Sequence, residues 1–409
     1  MKRSLLSVTL AVLLVLGTVA SLAACAPEEV ITESGRVDYF ESEVLPNVKF
    51  DPASYADIQL TLSSDLLVSD EDVRDTIDLL RFEKRSVVNG LAQVTDQPLR
   101  MGDDAYIYYR GVIDGKEFET GSNMDQSTPY ELGLGSGAFI PGFEEQLVGV
   151  VPSETSKEKP YAVNVTFPEN YGTKELAGRK ATFYVIVEYA VQYNMPAYDR
   201  NFIINVAMHT PSSSDLDDKA LFAEYEATVR KNLEEQNKED LNMAKYNALW
   251  DYLLTKFECK NLPEEEIDYY YNRSISQIEN EYKSYATDTA TGTMFLSEYP
   301  TLDDYALVRS GTTPGNSWKD TMKKYAEVVV KKDMIGHAVA EHEGIETLTD
   351  EEYNKEVEYW VEYYESYTGM LYTAEEITSQ MGEEYLRESA FAIKMQNFFY
   401  DRTTVTYVD

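Results

Sequence analysis

An α+β protein is what the hydrophobic periodicity of this 409-residue chain predicts. Between about residues 100 and 192 apolar side chains recur at every second position, whereas after Pro196 they recur three and four apart. The first pattern belongs to an antiparallel sheet with one buried face, the second to amphipathic helices. With 43% hydrophobic residues and 32 tyrosines, the chain is too apolar for a disordered acidic polymer and long enough for two or three domains.

Charge narrows the partners. Asp and Glu number 72 against 36 Lys and Arg, a net −36. The excess is spread along the chain: −10 over residues 25–99, −6 over 100–192 and −22 over 194–409. Nucleic-acid binders need clustered Lys and Arg to neutralise phosphate, and so do proteins held on anionic lipid by charge alone, so neither class fits.

The N-terminus carries Lys2 and Arg3, an uncharged apolar run from Leu5 to Val19, and then Leu22-Ala23-Ala24-Cys25 before Ala26-Pro27-Glu28-Glu29. Those are the parts of a secretory signal. The Leu-Ala-Ala-Cys ending resembles the bacterial lipobox, which implies removal of residues 1–24 and lipidation of Cys25. Two acyl chains, at about 0.8 kcal/mol per buried CH2, anchor a protein stably where one is marginal. This places the protein at the cell membrane, lipid-anchored on its outer face. An uncleaved anchor is the alternative, since residues 4–24 nearly span a bilayer. Cys259 is the only other cysteine, so an intramolecular disulfide is not expected once Cys25 carries lipid.

Residues 25–98 read as a tether and linker, polar and aperiodic to residue 36. Within them Ser69-Asp70-Glu71-Asp72-Val73 predicts a capped helix start, followed by a stripe of Ile77, Leu80 and Val87. Residues 99–193 form the sheet domain: Ile107 and Tyr109, Tyr130 with Leu132 and Leu134, Val163 with Val165 and Phe167, and Phe183 with Val185 and Val187 each share a strand face. Asp114-Gly115 between two such runs is a hairpin signal.

Residues 194–409 predict an all-helical domain. Tyr246, Leu249, Trp250, Leu253 and Phe257 make one stripe; Tyr353, Val357, Trp360, Val361 and Tyr364 make another. Thr349 with Glu352 and Thr373 with Glu376 are spaced as capping boxes, and Pro263 before three glutamates opens a helix. Ala286–Thr293 and Gly311–Gly315 read as loops. This half holds 21 of the tyrosines, including Tyr269-Tyr270-Tyr271 and Tyr363-Tyr364, and consecutive tyrosines on a helix cannot all face one core.

Six segments of the sheet domain occur in a telling order: Met101-Gly102-Asp103, Ile107-Tyr108-Tyr109-Arg110-Gly111, Gly115-Lys116-Glu117-Phe118-Glu119, Leu134-Gly135-Ser136-Gly137, Phe139-Ile140-Pro141-Gly142-Phe143-Glu144-Glu145 and Val165-Thr166-Phe167-Pro168-Glu169-Asn170-Tyr171-Gly172. Together with Leu176-Ala177-Gly178-Arg179 they resemble the FKBP-type peptidyl-prolyl isomerase domain in the form carried by bacterial trigger factor. Val68–Val73 resembles the lead into that domain. Leu262-Pro263-Glu264 and His342-Glu343-Gly344-Ile345 resemble trigger factor's helical chaperone domain. The Gly-Phe-Arg-x-Gly-Lys loop by which trigger factors dock on ribosomes is not matched, so no ribosome partner is expected.

The resemblance implies catalysis of cis/trans isomerisation at X–Pro bonds in unfolded or newly secreted polypeptides, with no cofactor and no metal. Rotation about the imide needs no nucleophile; the barrier is partial double-bond character, which an apolar cup lowers by binding the twisted bond best. By resemblance the cup is lined by Tyr109, Phe118, Tyr130, Phe139, Ile140, Phe143, Tyr171 and Phe183, with Phe143 under the proline ring. The Ile140 N–H, the Tyr171 hydroxyl and Glu119 supply polar contacts. Taken singly, such aromatics are more often plain core residues.

Other candidates are weaker. His337 and His342 lie five apart, off a shared helical face, and His209 stands alone. Asp103-Asp104 and Glu144-Glu145 read as solvated acids, and Cys259 as a small buried hydrophobe at a helix end.

Overall fold

The computed structural model describes residue 44 and residues 47–408, apart from 125, 170, 289–290 and 346–347. Cys25 and the signal-like segment therefore lie outside the described residues, as do the side chains of residues 89, 119, 120, 367 and 368. The chain folds as two compact units. One is Leu67–Lys238; the other joins the described residues up to Leu66 to those from Glu239 onward.

The first unit opens with α1 (Asp70–Glu83). Ser69 Oγ accepts from the Asp72 N–H (3.1 Å) and the Asp72 carboxylate accepts from the Ser69 N–H (2.9 Å), the reciprocal cap that the sequence signals. Val73 and Ile77 are buried against Phe202, Ile203 and the first turns of α3 (Asp218–Lys256). Val87 does not extend this stripe. The helix stops at Glu83, and Val87 sits exposed in a two-residue strand, β3 (Ser86–Val87), paired with β10 (Tyr193–Asn194).

The sheet is built around β5 (Asp104–Ile113), which pairs antiparallel with β6 (Lys116–Ser122), β7 (Tyr130–Gly133) and β9 (Lys180–Val191). On its far side β9 also pairs with β4 (Gln93–Val94) and β8 (Tyr161–Thr166). Asp114 and Gly115 join β5 to β6 with φ of 50° and 77°, the left-handed pair a tight hairpin requires. Ile107, Leu132, Leu134, Val163, Val165, Phe167, Phe183, Val185 and Val187 all point into one core, closed by α2 (Phe143–Leu147).

Asp103 and Asp104 are not solvated. Asp103 has no exposed surface; it accepts from the Arg100 guanidinium (3.0 Å) and from the Arg100 and Tyr193 N–H groups (both 2.9 Å). Asp104 meets Arg85 at 2.6 Å, and that guanidinium is sandwiched between the Phe82 and Tyr193 rings. Burial raises the Asp104 carboxyl above its ordinary value, and Arg85 opposes that shift. The pair fastens the segment leading in from α1 to the start of β5.

The second unit is mostly helical but not wholly so. Besides the rest of α3 it contains α4 (Glu264–Thr287), α5 (Gly292–Glu298), α6 (Leu302–Arg309), α7 (Trp318–Glu343), α8 (Asp350–Thr368), α9 (Ala374–Met381) and α10 (Glu383–Tyr400). Thr349 and Thr373 form the expected capping boxes. The Ala286–Thr293 loop is shorter than expected, because α4 runs to Thr287 and α5 begins at Gly292. Residues 44–66, read as linker, belong here: β1 (Val48–Lys49) pairs with β11 (Glu258–Cys259), and β2 (Ile58–Ser63) lies parallel to the C-terminal β12 (Thr403–Val408). Val48, Tyr55, Ile58 and Leu60 share a core with Trp250, Leu253, Val330, Phe391 and Phe399. Cys259 thus stands on a strand, half-buried, where burial pushes its thiol up to about 11, out of reach of thiolate chemistry at neutral pH. Among the described residues no helix is long and apolar enough to cross a membrane.

Candidate active site

The sheet core opens at one place into an aromatic cluster. Tyr109 comes from β5, Phe118 from β6, Tyr130 from the start of β7, Phe183 from β9 and Phe143 from the first turn of α2; Phe139 and Ile140 ride the loop before α2. Ring centroids link them: Tyr109 lies 6.3 Å from Tyr130, 5.3 Å from Phe139 and 6.2 Å from Phe183, and Phe118 lies 5.8 Å from Phe183. Most contacts are edge-to-face, the arrangement the ring quadrupole favours. Residues scattered over 75 positions therefore converge on one concave surface.

Two glycines make room for it. A Cβ on Gly111 would stand 2.4 Å from the Phe118 ring, and one on Gly121 2.3 Å from the same ring. Gly142, at φ +85°, turns the chain from the Ile140 loop into α2, where the Phe143 N–H donates to the Ile140 carbonyl at 3.0 Å.

Phe143 differs from its implied place. It is 0% exposed, with Phe139 4.5 Å and Phe183 5.3 Å away, so it forms a second layer rather than the surface a proline ring first meets. Phe139, Tyr109, Phe118 and Ile140, all half-buried, together with exposed Tyr130, present that surface. Tyr171 touches none of the other rings directly. It packs on Phe167 (4.7 Å), which packs on Phe118 (6.0 Å). Phe167 was visible in the sequence as a strand-face residue; its role as the link between Tyr171 and the cup was not.

Polar groups at the rim are few. Among the described residues neither the Ile140 N–H nor the Tyr171 hydroxyl has a hydrogen-bond partner, leaving both able to donate to a bound carbonyl. Glu119 lies on β6, but its side chain is outside the described residues. Burial, with a smaller contribution from Tyr130, raises the Tyr109 phenol, so it stays a neutral hydroxyl at any physiological pH. Asn123, missed in the sequence, is buried: its Oδ1 accepts from the Tyr109 N–H (2.6 Å) and its Nδ2 donates to the Ile107 carbonyl (3.1 Å), fixing β5 just past the end of β6.

The remaining histidines are paired elsewhere. His209 meets Glu224 at 3.1 Å, His337 meets Glu388 at 3.3 Å and His342 meets Tyr55 at 3.0 Å. Among the described residues no three His, Cys, Asp or Glu side chains are placed to hold a metal ion. What the described residues of the cup offer is a largely desolvated aromatic surface with isolated donors, suited to an apolar ring flanked by carbonyls.

Residues 95–192 match the family model of FKBP-type peptidyl-prolyl cis-trans isomerases. The sheet domain is thus an FKBP-type peptidyl-prolyl cis-trans isomerase domain, in a chain that also contains a larger helical unit. Along most of its length it is similar to trigger factors: 27% identical to that of Caldicellulosiruptor saccharolyticus over 93% of this chain and 77% of the relative, and 29% identical to that of Geobacillus kaustophilus over 81% and 68%. The trigger factor of Limosilactobacillus reuteri is 32% identical over 58% of this chain and 49% of its own.

Proposed function

We propose that this chain is a membrane-tethered, extracytoplasmic foldase. Its sheet domain isomerises X–Pro bonds in secreted polypeptides, and its helical unit holds the unfolded chain meanwhile. The observation that carries the reading is the convergence of Tyr109, Phe118, Tyr130, Phe139 and Phe183 into one aromatic cup beside the unpartnered Ile140 N–H. A prolyl ring seated on these faces leaves water, and the preceding carbonyl turns towards the donors as the imide twists. Donors that meet the carbonyl only in the twisted state lower the barrier rather than merely tightening binding. Support for the holding role comes from similarity to trigger factors over most of the chain and from exposed apolar side chains on the helical unit, Met294, Met370 and Leu371 among them. Methionine suits contact with varied sequences.

The test uses the chain from Ala26 onward. It is expected to accelerate isomerisation of a proline tetrapeptide and, at equal concentration, to suppress aggregation of a denatured protein. Aggregation suppression without isomerisation reduces it to a holding protein; neither activity leaves a surface-binding lipoprotein.

The tether rests on Leu22 to Cys25. Cys25→Ala is expected to abolish incorporation of labelled fatty acid and to leave an uncleaved precursor. Equal labelling of variant and wild type removes the anchor from the reading.

A further inference from the structure

Glu144, by its sequence a solvated acid, is 4% exposed and lies beneath the loop that carries Phe139 and Ile140. Its Oε2 accepts from the Gly135 N–H (2.7 Å) and the Gly137 N–H (3.2 Å); its Oε1 accepts from the Phe139 N–H (3.1 Å) and the Ser136 hydroxyl (3.3 Å). One carboxylate thus satisfies four donors within five consecutive residues. A loop in which Gly135 and Gly137 both take positive φ has little stiffness of its own, and its shape is set by what its N–H groups point at. The charge is held in place by α2, which begins one residue earlier at Phe143, and α2 is itself tied to β8 through Gln146, whose amide donates to the Asn164 carbonyl (2.9 Å) and accepts from the Asn164 N–H (3.0 Å).

We infer that Glu144 is the positioning residue of the isomerase cup: its carboxylate fixes the 135–139 loop and, through the Phe139 N–H, sets where the Phe139 ring and the adjacent Ile140 N–H stand. The inference rests on the isomerase reading of the cup. Charge-assisted bonds to backbone donors are the strong class, and a buried carboxylate with this many donors has no alternative solvent shell to turn to. Three of the five residues that present the proline-binding surface, Tyr109, Phe118 and Tyr130, stand on strands that Glu144 does not touch. The Ile140 donor matters most as the imide twists, so loosening the loop falls on turnover more than on binding.

Glu144→Gln keeps the volume but replaces one acceptor oxygen by an NH2 group that faces donors. Glu145→Gln, at the exposed neighbour, removes the same charge and is the control. Both are made in the chain from Ala26 onward and checked by near-ultraviolet circular dichroism. Glu144→Gln is expected to lower kcat toward a proline tetrapeptide about ten- to a hundredfold, the range for a reacting group displaced by about 1 Å, with KM changed less than threefold. It is also expected to speed amide exchange at Gly135, Gly137 and Phe139 while the β5 and β9 amides stay protected. Glu145→Gln is expected to match wild type in both readouts. A folded Glu144→Gln variant with exposed loop amides and wild-type kcat makes Glu144 a purely structural residue and overturns the inference. Lost activity with the loop amides still protected overturns it too, because the effect then travels another way. A wild-type chain inactive toward the peptide fails the isomerase reading itself and takes the positioning role with it.

Discussion

Phe143→Ala is expected to cost about 3–5 kcal/mol of stability in the sheet domain and to lower isomerisation of a proline tetrapeptide by tenfold or more. The ring is wholly buried between Phe139 and Phe183, so its removal opens a void directly beneath the accessible face of the cup. Phe139 can then sink into that void, and the surface a proline meets changes shape even where the domain stays folded. Tyr171→Phe is the complementary variant. It keeps the volume, leaves the Phe167 contact and deletes one donor, so stability should be unchanged and the rate should fall by about two- to tenfold, the worth of one hydrogen bond. Thermal unfolding and peptide isomerisation are measured on both. If each variant is folded under assay conditions and each turns over at the wild-type rate, neither the second layer nor the Tyr171 hydroxyl takes part in the reaction.

Much of the sheet domain is legible in the sequence because its information is local. A strand with one buried face must alternate, and Ile107, Leu132, Val163 and Val185 do; Asp114-Gly115 can adopt the left-handed pair of a tight hairpin, and it does. Capping boxes at Ser69, Thr349 and Thr373 are legible for the same reason, since both partners lie within one turn. What escaped is what depends on distant chain. Asp103 and Asp104 look like any surface acidic pair until Arg85 and Tyr193 are brought to them by β3 and β10. Glu144 finds its partners among backbone N–H groups, which every residue possesses and no pattern marks. The parallel pairing of β2 with β12 joins segments near the two ends of the described chain; both strands alternate, but nothing local marks one as the other's partner. In the cup the residue types were legible but the layering was not: whether Phe139 or Phe143 faces outward depends on side-chain geometry within a loop.

The second unit is expected to lose stability as pH rises from about 4 to about 7, against the usual trend for an acidic protein. Asp333 on α7 is the cause. Burial raises its carboxyl first of all, the neighbouring carboxylates Glu388 on α10 and Glu266 on α4 raise it further, and the Tyr270 hydroxyl, 2.9 Å from Oδ2, and His337 oppose them, leaving it pushed up to about 7. A group whose folded value lies above its unfolded value favours the folded state while protonated, so its contribution is complete below about 4 and is lost as pH climbs through about 7. Lys332, beside it, is depressed to about 8 by burial under the Tyr246 and Trp250 rings; it is charged in both states throughout that window and leaves the slope to others. The full shift corresponds to about 4 kcal/mol, and partial solvent screening of a half-buried group reduces that to roughly 2–4 kcal/mol. All three tryptophans, Trp250, Trp318 and Trp360, lie in this unit, so their fluorescence in urea reports it without the sheet domain. Asp333→Asn retains an acceptor for Tyr270 and removes the charge. It is expected to flatten the pH dependence between 4 and 7 and to exceed wild type in stability at pH 8. Parallel slopes for variant and wild type would mean that Asp333 does not carry the pH dependence.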